Sequence, residues 1–90
     1  MWYRLGVGLI ESKRIERLYD QVLKNRKNCR FEDIERLLLA LGFSARKASG
    51  SHVIFKRADK TISVPKRIPV KEHYVDEVLR LTLELLGGSG

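Results

Sequence analysis

Apolar residues recur with a helical period over two early stretches of this chain. Ile15, Leu18, Tyr19, Val22 and Leu23 follow i, i+3, i+4, i+7 and i+8 spacing, which predicts an amphipathic helix over 12–24 with Ser12 as its N-cap. Asn25 to Arg30 carries no apolar period and reads as a basic loop. Phe31, Ile34, Leu37, Leu38 and Leu41 predict a second helix over 31–41. Its first turn holds Glu32, Asp33 and Glu35, where the helix dipole favours negative charge, and Gly42 stands at its end.

The period then changes from helix to strand. Short strands are expected at 43–48, 53–57 and 61–64, with turns at Ser49-Gly50-Ser51 and Ala58-Asp59-Lys60. In the second strand, Val53 and Phe55 fall on one face while His52, Ile54 and Lys56 fall on the other. Pro65 ends the third strand, because it has no N–H for the ladder. A last helix is expected over 70–86, with one apolar stripe of Val75, Val78, Leu79, Thr82, Leu83 and Leu86. Tyr74, Leu81 and Leu85 make a second stripe beside it. That wide arc is read as packing against the first helix, with a partner's surface as the alternative. Residues 1–10 are apolar but short and interrupted by Arg4, so they are read as an arm, a strand or turn laid on the domain, rather than a signal peptide or a membrane span.

These elements give an α+β fold in which a three-stranded antiparallel sheet packs on helices, in the order α-α-β-β-β-α. Ninety residues make one domain, with 1–27 as arm and extra helix, 28–86 as core and 87–90 as a flexible tail. No membrane segment is expected. One cysteine, Cys29, and two histidines offer neither a disulfide nor a metal-ligand spacing, so no cofactor is expected and a reducing cytoplasm fits. Cys29 is expected to fill space near the start of the second helix.

Charge changes the picture. The net charge is +7, and residues 44–73 hold eight basic and two acidic side chains, +6 of that excess. A positive field confined to the sheet and its following loop is the footprint of a docking surface for phosphates, hence for nucleic acid. Arg46, Lys47, Lys56 and Lys66 are candidates to bind phosphate. Gly50 allows close backbone approach, and Ser51 offers a hydroxyl and an amide. Among these cations stands His52, and imidazole is the side chain suited to general acid–base work near neutrality. The competing reading is a strand-start histidine held by hydrogen bonds. His73 is read as a surface or capping residue, with a second acid–base group as the alternative.

The order helix, three antiparallel strands, helix is that of double-stranded-RNA-binding domains. The residues Phe31-Glu32-Asp33-Ile34-Glu35-Arg36-Leu37-Leu38, Leu41-Gly42-Phe43, Gly50-Ser51-His52 and Val64-Pro65 together resemble the HicA (YcfA-like) toxins of type II toxin–antitoxin systems, over about residues 28–84. The resemblance implies an mRNA endonuclease of double-stranded-RNA-binding-like fold, with the histidine of Gly-Ser-His, here His52, as catalytic residue. It also implies a HicB-type antitoxin that covers the site. Two features differ from many relatives: Lys66 stands where a histidine often follows the proline, and the helix over 12–24 is an addition. On that resemblance the chain is expected to be an endoribonuclease acting on mRNA in the cytoplasm, metal-independent because no metal-ligand spacing is present. A non-catalytic RNA-binding module of the same fold is the alternative, and a protein that mainly binds its antitoxin is a third reading.

Overall fold

A computed structural model describes residues 2–48 and 50–87, with side chains from residue 13 onward and not for Gly87. The elements are α1 (Trp2–Lys24), a 3-10 turn (Arg26–Asn28), α2 (Phe31–Ala40), β1 (Ser44–Lys47), β2 (His52–Arg57), β3 (Lys60–Pro65) and α3 (Glu72–Gly87). The expected α+β arrangement is the one observed. The strands form one antiparallel meander in the order β1-β2-β3.

The N-terminal stretch departs from expectation. Trp2 to Ile10 continues α1 rather than forming a strand or turn, so Ser12 lies inside the helix and not at its start. Gly6 and Gly8 lower local helix propensity and disguise the helix in the sequence. Propagation onto an existing helix is nevertheless far less costly than nucleation, and no proline stops it. Ser49 of the predicted turn and Gly88–Gly90 of the predicted tail lie outside the described residues; Gly87 is the last residue of α3.

The core lies between the sheet and the helices. Val53, Phe55, Ile62 and Val64 from the inner face of the sheet join Phe31, Ile34, Leu37 and Leu38 of α2 and Val75 and Val78 of α3. Ile15 and Val22 bring α1 into the same core, so α1 is packed on the domain and not merely appended. Phe31 and Phe55 meet with ring centroids 6.1 Å apart and tilted planes, a favourable aromatic geometry. Cys29 fills space ahead of α2, as expected, and its thiol is pushed up to about 11 by burial and by the nearby Asp33 carboxylate.

The apolar arc of α3 is buried in part. Val75, Val78, Leu79, Leu81 and Thr82 are buried, and the Thr82 hydroxyl donates to the Val78 carbonyl at 2.8 Å. Leu83 and Leu86 stay exposed, on an open groove of about 690 Å³ shared with Tyr19 and the charged Lys13, Glu16, Arg17 and Asp20 of α1. Packing against α1 therefore accounts for part of the arc and leaves its edge free. No helix among the described residues is long and apolar enough to cross a membrane.

Candidate nucleic-acid cleavage site

The backbone around Gly50-Ser51-His52 is fixed from both sides. Gly50 has φ +64, the left-handed region that glycine enters without strain, and nothing lies within 4 Å of where a Cβ would stand. Its requirement is thus conformational and not one of space. The Ala48 N–H donates to the His52 carbonyl at 3.0 Å, and the Lys66 N–H donates to the Ser51 carbonyl at 2.7 Å. His52 is the first residue of β2 and stands opposite the buried Pro65 of β3. The histidine is exposed, so its imidazole is presented to solvent by a rigid frame rather than consumed in packing.

Pairing register sorts the predicted phosphate ligands. Residues directly opposite in an antiparallel sheet share a face. Ser44 and Arg46 of β1 face Lys56 and Ile54 of β2, so Arg46 and Lys56 join His52 on the outer face. Ser44, Arg46, Ile54 and Lys56 line a shallow depression of about 250 Å³ there. Lys47 is opposite Val53 and so belongs to the other face, although it is exposed because β1 is an edge strand. Lys66 also turns away: its ammonium lies 5.8 Å from the centroid of the Phe31 ring, a cation–π contact on the helix side. Of the four predicted cations, two are gathered on the histidine's face and two are not.

A second group of residues is brought to His52 instead. Ser51, His52, Pro65, Arg67, Lys71, His73 and Tyr74 line one cleft of about 330 Å³. Its cations come from the loop between β3 and α3, whose course is set by an Arg67 N–H to Pro65 carbonyl bond of 2.9 Å and a Val70 N–H to Cys29 carbonyl bond of 2.9 Å. That second bond ties the loop to the start of α2 and delivers the first turn of α3 to the start of β2. His73 is exposed there, as a surface residue should be, yet it also lines the cleft, with its ring centroid 4.0 Å from that of Tyr74. Arg67, Lys71 and Tyr74 were not among the candidates from sequence. Alternation ends at Pro65, so no period places the loop residues, and the only pointer was the basic Lys66-Arg67 pair. No carboxylate lines the cleft among the described residues, so its field is positive.

The arrangement offers two imidazoles, two fixed cations, a hydroxyl and a phenol around one opening. It can bind a phosphodiester and move protons to and from its oxygens. Residues 31–84 match the family model described as the HicA toxin of bacterial toxin–antitoxin systems. No curated protein and no solved structure gives a significant match.

Proposed function

Because this chain belongs to the HicA toxin family, over a match that covers more than half of its length, we propose that it is a metal-independent endoribonuclease that cleaves mRNA in the cytoplasm with His52 as general acid–base group. A toxin of such a system has an antitoxin partner, and a HicB-type protein covering the His52 cleft fits that role. The observation that carries the reading is the exposed His52 on a cleft lined also by Arg67, Lys71 and His73.

RNA supplies its own nucleophile in the 2′-hydroxyl. An enzyme need only take that proton, offset the charge that grows on the phosphorus-bound oxygens, and protonate the leaving oxygen. His52 stands ready for proton transfer. Arg67 and Lys71 supply fixed positive charge at the same opening. Lys56 lies four residues along β2, roughly 13 Å from His52 at strand rise. It therefore serves a neighbouring phosphate of the strand, whereas Arg46, opposite Ile54, stands nearer to His52 on the same face. Gly50 and Ser51 frame the opening through backbone and hydroxyl.

The test uses matched single-stranded RNA, duplex RNA and DNA, with EDTA present and absent. In-line attack by the 2′-hydroxyl needs a flexible backbone, which A-form duplex opposes. The protein should cut single-stranded RNA fastest, spare DNA, leave cyclic-phosphate or 3′-phosphate ends, and ignore EDTA. His52→Ala should lose about 10²–10⁴ in rate with its fold intact. Ends bearing a 3′-hydroxyl, or cutting of DNA, would overturn the mechanism. Protection of duplex RNA without new ends would identify a binding module instead.

A further inference from the structure

We infer that His73 is the second catalytic group of this cleft: the general acid that protonates the leaving 5′-oxygen while His52 acts as the general base. This rests on the nuclease reading above and divides its acid–base work between two residues. The geometry carries it. Both histidines of the chain line the same opening, one from β2 and the other from the first turn of α3, with Arg67 and Lys71 of the connecting loop on the same rim. Both are exposed, so neither is a core residue satisfied by packing.

Transesterification needs two proton transfers at different oxygens. The His52 imidazole takes the proton of the 2′-hydroxyl as the O2′–P bond forms. The P–O5′ bond then breaks, its electron pair goes to O5′, and the proton on the His73 imidazolium goes with it. The products are a 2′,3′-cyclic phosphate and a 5′-hydroxyl, and proton exchange with water resets both rings. One imidazole cannot occupy both sides of an in-line displacement in the same step, whereas two on different elements can.

Groups of both signs stand around position 73. Lys71 and Arg67 share the cleft, and His52 faces it from the sheet. On α3 the neighbours are Glu72, Tyr74 and Asp76, and Arg26 from the 3-10 turn pairs with both carboxylates. Asp76, one helical turn beyond His73, is a carboxylate on this side of the cleft, and its main partner is Arg26.

The deciding experiment compares ordinary RNA with the same RNA carrying a bridging 5′-sulfur at the cleavage site. A thiolate leaves without protonation, so it needs no general acid. His73→Ala and His73→Gln should lose about 10²–10⁴ in kcat/KM on ordinary RNA and stay within a few-fold of the parent on the thio substrate. His52→Ala should be slow on both. The alkaline descending limb of the pH–rate profile, which reports loss of the acid's proton, should vanish in the His73 variants. The acid limb, which reports the base, should persist. Parent-like rates on ordinary RNA would overturn the proposal. Equal losses on both substrates would also overturn it, making His73 a binding or structural residue, with melting and RNA-binding curves telling those two apart. A parent protein that cleaves neither substrate would instead remove the nuclease reading itself.

Discussion

The Arg26 guanidinium grips the Asp76 carboxylate with two hydrogen bonds, Nε to Oδ1 at 2.6 Å and Nη2 to Oδ2 at 3.0 Å, across fifty positions of sequence. A forked guanidinium meeting a carboxylate edge-on fixes direction as well as distance. The same arginine reaches Glu72 at 3.7 Å. Together these contacts tie the turn behind α1 to the first turns of α3. Asp76 lies one helical turn beyond His73, so the clamp sets the helix that carries a wall of the cleft. Both partners are half exposed, and water and salt screen their attraction. The clamp therefore matters more for where α3 begins than for how much stability it adds.

The pair makes stability depend on pH in a defined direction. The hydrogen bond from Arg26 holds the Asp76 carboxyl below its ordinary value, with some opposition from burial. The folded state then binds that proton less readily than the unfolded chain, so the contribution is present above about pH 4, the ordinary carboxyl value, and is lost as pH falls through the lowered folded one. Arg26→Ala should melt below the parent near neutrality, and the gap should close as the pH is taken down toward 2. Melting curves across that range, at low salt, measure it. A gap that stays constant from neutrality to strong acid would show that Asp76 does not titrate against Arg26.

A second expectation concerns which cations touch RNA, and follows from the nuclease reading. Counterion release makes the logarithm of affinity fall with the logarithm of salt by about 0.7 per phosphate contact on a single strand. Arg67 and Lys71 line the cleft, whereas Lys66 rests over Phe31 and Lys47 belongs to the opposite sheet face. Replacing Arg67 and Lys71 with glutamine should flatten the salt slope by about one to two contacts. The same change at Lys47 and Lys66 should leave it nearly as it was. Titrations of catalytically inactive His52→Ala with labelled single-stranded RNA over a salt series would read both. A larger loss from the Lys47 and Lys66 pair would put the RNA on the helix side of the sheet.

These contrasts show what was legible in the sequence. Strand alternation placed His52, Ile54 and Lys56 on one face of β2 and Val53 and Phe55 on the other, and the burial of Val53 and Phe55 agrees. Element order and the turn glycines were equally plain, since Gly42 and Gly50 both have positive φ. Alternation could also have separated Lys47 from Arg46, once β1 was paired, because neighbours in a strand point apart. The contribution of Arg67, Lys71 and His73 to the cleft was not legible. It depends on a loop path set by backbone bonds such as Val70 to Cys29, and those link positions no local period connects. The direction of Lys66 was not legible for a related reason: its side chain meets an aromatic face contributed by α2.

The last prediction tests whether α1 is part of the folding unit. The family match begins at Phe31, so nothing in it requires α1. The packing does: Ile15 and Val22, two turns apart on one face, are buried in the same cluster as Phe55 and Leu38, while Leu23 is 45% exposed. Truncating a buried isoleucine to alanine removes apolar contact and leaves a cavity that its neighbours fill only in part, at a cost of about 2–5 kcal/mol. Truncating an exposed leucine on a surface should change stability by no more than about 0.5 kcal/mol. Urea unfolding of Ile15→Ala and Leu23→Ala should therefore separate the two substitutions by well over 1 kcal/mol, with similar denaturant slopes. The core of a ninety-residue chain is small, so a loss at the upper end of that range would leave little folded protein at physiological temperature. Equal and small effects at Ile15 and Leu23 would mean that α1 does not share the core, and that the stretch from Phe31 onward holds its fold without it.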